Sequence, residues 1–233
     1  MRPIAIAGTL LLALAGLTVG QKVFAKMTAD TIASAAAKIE SAASGRLADA
    51  LSDAGARRPF GELALVVSKA DRTLDLWVLP GGAESFTHLK TYPVLAASGT
   101  PGPKLREGDR QVPEGVYGVR SLNPNSRFHL SLEVDYPSAF DLARAREDGR
   151  SEPGSNIFIH GGAKSVGCVA IGDAAIEEVF LLCSETPLSK ITVLIAPSDP
   201  SKPLVRNGAG DLPSWMEQKD AELLRELERV GAR

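Results

Sequence analysis

The sequence predicts a mainly β domain with a few helices, extended by α-helices at its N- and C-terminal ends. Three observations predict it. A series of short segments is apolar or alternates apolar with polar residues, the period of strands with one or both faces buried. Between them, 15 prolines and 22 glycines supply turns. With 44% hydrophobic residues and only 5% aromatics, the core is built from aliphatic side chains.

Along the chain, residues 1–25 come first. Arg2 is followed by an apolar run from Ile4 to Val19, then Gly20, Gln21 and Lys22, then Val23-Phe24-Ala25. These are the three parts of an export signal, with cleavage expected after Ala25. The rival reading is an uncleaved anchor, a run just short of the ~20 residues a spanning helix needs. Either reading places the remainder outside the cytoplasm, in the periplasm, with a membrane contact only where the segment is retained.

Residues 26–59 form a helical extension. Ile32, Ala36, Ile39, Ala43, Leu47 and Leu51 recur at three- and four-residue steps from Thr28 to about Leu51, and the cluster Gly55 to Pro59 ends the stripe. The segment is rich in alanine, so it reads equally as a packing helix or as a loosely attached spacer arm.

Residues 60–200 form the main domain. Strands are expected at Leu63 to Val67, Thr73 to Leu79, Leu89 to Leu95, Gly115 to Ser121, Phe128 to Asp135, Asn156 to His160 and Ile191 to Ala196. From Ala97 to Pro113 repeated Gly and Pro exclude regular structure, and loops of that length tend to carry function. Asp173 is expected to cap a helix over Ala174 to Cys183, with Ile176, Val179, Phe180 and Cys183 on one face. Residues 201–233 close the chain with a linker and an amphipathic helix. Pro213 opens it, Leu223, Leu224 and Leu227 form its stripe, and it reads as a surface-docked helix or a partner-binding tail.

Charge and cysteine content exclude two classes. With 26 Lys+Arg against 28 Asp+Glu, the balance is too even for a nucleic-acid binder. Two cysteines cannot make a disulfide scaffold.

Chemistry concentrates in Asn156-Ile157-Phe158-Ile159-His160-Gly161-Gly162-Ala163-Lys164-Ser165-Val166-Gly167-Cys168. A histidine ends an apolar strand, and a cysteine follows across a loop of small residues. An imidazole can take the proton of a thiol and make it a nucleophile, and the glycines at 161, 162 and 167 leave N–H groups free to face an oxyanion. Ser165 is placed to hydrogen-bond the imidazole or to fix the loop. A second reading pairs Cys168 with Cys183 in a disulfide, as in a non-catalytic wall-binding module. Cys183, on an apolar helix face, also reads as a buried small hydrophobe. His88 and His129 are read as structural. His160, Cys168 and Cys183 give three ligands without the close-pair spacing of zinc sites, so no metal or organic cofactor is called for.

The segment resembles the YkuD-type L,D-transpeptidase catalytic domain, whose signature is a strand-end His-Gly followed by Ser-x-Gly-Cys, and within it the YafK-like branch. Three further stretches carry the resemblance: Gly102-Pro103-Lys104-Leu105-Arg106-Glu107-Gly108-Asp109-Arg110-Gln111-Val112-Pro113-Glu114-Gly115-Val116-Tyr117, Asn123-Pro124-Asn125-Ser126-Arg127-Phe128-His129-Leu130, and Tyr136-Pro137-Ser138-Ala139-Phe140-Asp141. It implies a β-sandwich-like domain over roughly Leu63 to Pro197, with the catalytic loop at one end. It also implies Cys168 as nucleophile, His160 as general base, and the N–H groups of Gly167 and Cys168 as oxyanion donors. The implied substrate is a peptidoglycan stem peptide, attacked at the carbonyl of the L-centre of diaminopimelate. A thioester forms, then yields to water or to an amine.

Two departures stand out. The family's usual histidine two positions before the cysteine is Val166, and its usual basic or amide residue two positions after is Ala170. Both are typical of the YafK branch and, with the short His-to-Cys loop, count against ordinary cross-linking. The branch implies hydrolysis that releases a wall-linked outer-membrane lipoprotein, with cross-linking or protein attachment as the alternative. Lys104, Arg106, Arg110, Arg127 and Lys164 are candidates to hold stem-peptide carboxylates, Lys104 and Arg127 foremost by their place in matched motifs.

Overall fold

The computed structural model describes the backbone from Ala13 and the side chains from Thr31 to Arg233. The export segment read at residues 1–25 lies outside the described residues, apart from helical backbone beginning at Ala13. Among the described residues no helix is long and apolar enough to cross a membrane.

The elements in chain order are α1 (Ala13–Asp53), β1 (Phe60–Ser68), β2 (Thr73–Pro80), β3 (Thr87–Pro93), β4 (Gly115–Ser126), β5 (His129–Val134), α2 (Ala139–Glu147), β6 (Phe158–His160), β7 (Val169–Ala170), α3 (Asp173–Glu185), β8 (Ile191–Ala196) and α4 (Met216–Val230). The strands form one curled sheet in the order β3-β2-β1-β8-β4-β5-β6-β7. Pairing is antiparallel except for β1 with β8 and β6 with β7. The sandwich-like expectation is met by bending one long strand. β4 pairs with β8 over Gly115–Gly118 and with β5 from Val119 onward, with a register shift between Val119 and Ser121.

Alternation along the central strands sorts side chains into two cores. Leu63, Leu65 and Val67 of β1, with Ile191, Val193 and Ile195 of β8, face α1 and α3, whose Ile39, Ala43, Leu47, Ile176, Val179 and Phe180 fill that layer. Ala64, Val66, Leu194 and Ala196 face the other way and are covered by Leu223, Leu227 and Val230 of α4. The small residues at 64 and 196 let α4 sit close. α1 is therefore a packing helix from Ile39 to Leu47, and α4 is docked on the sheet.

Ion pairs fix the helices in place. Arg46 of α1 meets Glu177 and Glu178 of α3 at 2.6 and 2.9 Å, and Arg58 joins Glu40 to Glu185. On the opposite face, buried Lys219 of α4 pairs with Asp141 of α2 and donates to the Tyr117 hydroxyl at 2.7 Å.

Two elements were not foreseen. β7 is two residues long, below the reach of any periodicity, and is held by Ile171 N–H to His160 O and Ala170 N–H to Ala96 O, both at 2.9 Å. α2 starts with a capping box between Ser138 and Asp141, a Ser-x-x-Asp signature that is visible in the sequence. The expected Asp173 cap is corrected. Gly172 is the N-cap and Asp173 the first helical residue, because its carboxylate accepts the Gly162 N–H at 2.7 Å instead of capping α3.

Candidate active site

His160 ends β6 and is buried, 2% exposed. Its Nδ1 lies 2.6 Å from the Gly161 carbonyl oxygen, an acceptor, so Nδ1 carries the proton and Nε2 is left with a free lone pair. Phe128 stacks over the ring, centroids 4.5 Å apart at 28°. Parallel pairing sets His160 beside Ala170 and Ile159 beside Val169, which brings the residue just before β7, Cys168, up to Phe158. Both side chains line one cleft of about 190 Å³ with Asn123, Ser126, Arg127, Phe128, Ser131 and Phe158.

Burial holds both groups neutral. It lowers the His160 pKa below its ordinary 6.5 against the opposing Gly161 bond. It raises the Cys168 thiol above its ordinary 9.0, opposed by a backbone bond from Phe158 and by the charge of Lys104. The thiol contacts the Asn156 carbonyl oxygen at 3.6 Å, and Asn156 takes a positive φ of 56° to present it. No bond joins the thiol to the imidazole, although both line the cleft; the proton passes to Nε2 as the sulfur attacks only when the thiol turns to it from the Asn156 carbonyl.

Between the two residues the loop is tied at several points. Ser165 fixes it: its hydroxyl donates to the Cys168 carbonyl at 2.7 Å and accepts the Cys168 N–H at 3.1 Å. It makes no bond to the imidazole. Gly167 turns at φ +83°, a left-handed conformation that glycine adopts without strain, and its N–H donates to Ser98 Oγ at 2.6 Å. The two N–H groups expected to face an oxyanion thus already have hydroxyl acceptors. Gly161 is required by close approach, since a Cβ there would fall 2.6 Å from both Asp173 Oδ1 and the Phe128 carbonyl oxygen. Val166 stands 72% exposed at the loop tip.

The long 97–113 loop is pinned rather than loose. The Lys69 ammonium donates to the carbonyls of Gly102 and Val112 at 2.8 Å and pairs with Glu114, which Arg206 also grips. The Asp109 carboxylate accepts the N–H groups of Leu105, Arg106 and Gln111. From this loop comes Ser98, which sequence reasoning passed over because nothing near it signals its contact with Gly167.

The expected carboxylate grips divide. Lys104 is corrected: its side chain is buried, its Nζ pairs with Asp109 at 2.6 Å and donates to the Arg106 carbonyl, and its stem lies against Gly154. It holds the loop and does not line the cleft. Arg127 is exposed on the lip of the cleft, 5.9 Å from the Phe128 ring centre, with no carboxylate partner among the described residues. Arg106, Arg110 and Lys164 are exposed and do not line the cleft. Both cysteines are free, and Cys183 is buried in α3, so the disulfide reading has no support in the structure. Among the described residues no group of three or more His, Cys, Asp or Glu converges on a metal site.

The chain is 38% identical over 116 residues to YafK of Escherichia coli (strain K12), a match that takes in 49% of this chain and 44% of that protein, so it spans less than half of its relative. Among solved structures it is similar to the helical cell shape determining protein Pgp2 of Campylobacter jejuni, at TM-score 0.49 and 20% identity over 66% of this chain and 55% of that one. It is also similar to Mycobacterium tuberculosis L,D-transpeptidase 1, at TM-score 0.33 and 16% identity over 57% and 61% of the two chains. The YkuD family, the L,D-transpeptidase catalytic domain, matches residues 62–195, the stretch from β1 to β8 that includes His160 and Cys168, and the chain belongs to that family.

Proposed function

We propose that the protein is an exported, cysteine-dependent acyl-transfer enzyme acting on peptidoglycan stem peptides at the L-centre of diaminopimelate. Its favoured reaction is hydrolysis of the bond that links a protein or amino acid to the wall. The observation that carries this reading is the convergence of Cys168 and His160 on one cleft, with the imidazole oriented by Gly161 so that Nε2 is the acceptor.

In this reading the Cys168 sulfur attacks the carbonyl as its proton passes to His160 Nε2. The tetrahedral oxyanion collapses to a thioester, and the leaving amine takes the proton from the imidazolium. Water, deprotonated by the same nitrogen, then releases the acid. The N–H groups of Gly167 and Cys168 serve the oxyanion when the Ser98 and Ser165 hydroxyls yield to it. Val166 and Ala170 put no polar side chain beside the thiol to hold a second amine, which favours water over transpeptidation.

The test is incubation of residues 26–233, and of Cys168→Ala, with sacculi carrying covalently bound protein, the muropeptides being resolved by mass. Loss of protein remnants to leave tripeptide ends, dependent on Cys168, supports hydrolysis. New diaminopimelate-to-diaminopimelate links would make transpeptidation the activity, and no change with either protein would overturn both.

A further inference from the structure

The register across β4, β5 and β6 sets three polar side chains in a row. Asn123 pairs with Ser131, and Ser131 pairs with His160. Side chains of paired residues point to the same face of a sheet, their Cβ atoms about 5 Å apart. All three line the cleft.

Ser131 is 2% exposed, and its hydroxyl has no hydrogen-bond partner among the described residues although it faces the cleft. The hydroxyl is open to the cleft and not among the buried polar atoms that lack a partner, so its donor and acceptor are available to whatever occupies the cleft. Asn123 is similar: its Oδ1 accepts the Asn125 N–H at 2.9 Å, which leaves the Nδ2 donors without a protein acceptor. Arg127 on the lip adds a guanidinium. The remaining walls are Phe128, Phe158, Ser126, His160 and Cys168, and no Asp or Glu lines the cleft. An Nδ2 amide, a hydroxyl and a guanidinium together match one chemical class, a carboxylate.

We propose that Asn123, Ser131 and Arg127 form a carboxylate-binding subsite for the acyl donor, beside the carbonyl that meets Cys168. The subsite selects donors whose carboxylate is free over the same donors carrying a primary carboxamide. A carboxamide would turn an NH₂ toward the Asn123 and Arg127 donors and give up the charge that Arg127 meets. The proposal rests on the acyl-transfer reading and names its substrate determinant.

The experiment compares three synthetic stem peptides that bear lysine on the L-centre carbonyl of diaminopimelate. One has all carboxylates free, one is amidated on the glutamate before diaminopimelate, and one on the diaminopimelate side chain. Turnover is measured with the full exported chain, and binding is measured by calorimetry with Cys168→Ala. One of the two amidations is expected to raise KM by about tenfold with kcat little changed, which identifies the carboxylate that is read. In Ser131→Ala, Asn123→Ala and Arg127→Gln the acid donor should fall to the level of that amide. Arg127 is exposed, so its variant keeps the test independent of folding. Equal use or equal binding of all three peptides would overturn the subsite. If the wild type turns over none of them while Cys168→Ala still binds the acid form more tightly, the subsite stands and the reaction assigned to it falls.

Discussion

Asp173 accepts the N–H of Gly162 at 2.7 Å, and this single bond ties the start of α3 to the loop that leaves His160. The carboxylate also lies where a side chain on Gly161 would have to go. Replacing it by alanine leaves the solvent-accessible Gly162 N–H to water and frees the loop. Asp173→Ala should lower stability by about 0.5–1 kcal/mol and change the rate of Cys168 alkylation by iodoacetamide, read by urea denaturation and by mass. Unchanged alkylation would show that the tether does not set the thiol's surroundings.

Gly161→Ala tests the same packing from the other side. The new methyl meets the Phe128 carbonyl and Asp173 Oδ1 at 2.6 Å, and one of these is backbone that cannot swing away. A cost on the order of 2 kcal/mol, with displacement of Phe128 from the His160 ring, is expected in thermal melts and histidine NMR.

The pH profile follows from the two shifts. Burial lowers the His160 pKa, so the imidazole stays an acceptor until the pH falls below its ordinary 6.5. Burial raises the thiol above 9.0, so Cys168 remains protonated through the neutral range. A plot of kcat/KM against pH should be flat through neutrality, with its acid limb below 6.5. An acid limb above that value would contradict a base held neutral by burial.

Phe128 contributes to that burial by stacking on the ring. In Phe128→Ala water reaches the imidazole, its charged form is better solvated, and its pKa rises. The acid limb should then move upward, and the NMR titration of His160 with it.

Lys219 and Asp141 are both buried, side chains 5% and 6% exposed, and each is the other's ionic partner. Lys219→Met leaves a carboxylate without its counter-charge at the joint of α2 and α4. A loss of about 3–5 kcal/mol is expected by denaturant titration, with partial recovery when Asp141→Leu is added. Full stability in the single variant would show that water reaches Asp141.

Much of this was legible in the sequence. β8 was read at Ile191 to Ala196, its observed bounds, because a mostly buried central strand is a nearly continuous aliphatic run. His160 and Cys168 stood out because glycine and small residues separate them. What stayed hidden depends on register. Ser131 looks like any strand serine until β5 is set against β6, and Lys104 looks like a surface cation until Asp109 is folded back onto it. Asp173 has the right residue type and place for a helix cap, and only the tertiary position of Gly162 diverts it.

The parallel pairing of β1 with β8 has a consequence for the order of assembly. A chain made from its N-terminus presents β1 long before its inner neighbour exists, so β1 has a bare edge and an uncovered Ala64–Val66 face until Ile191–Ala196 and then α4 arrive. β4 likewise waits for β8 along its first half. The thiol and the imidazole are therefore synthesised before the scaffold that aligns them, and contacts of such long sequence separation close late. Alignment of Cys168 with His160 is thereby coupled to completion of the chain through α4, and a chain released early would carry both residues without the cleft.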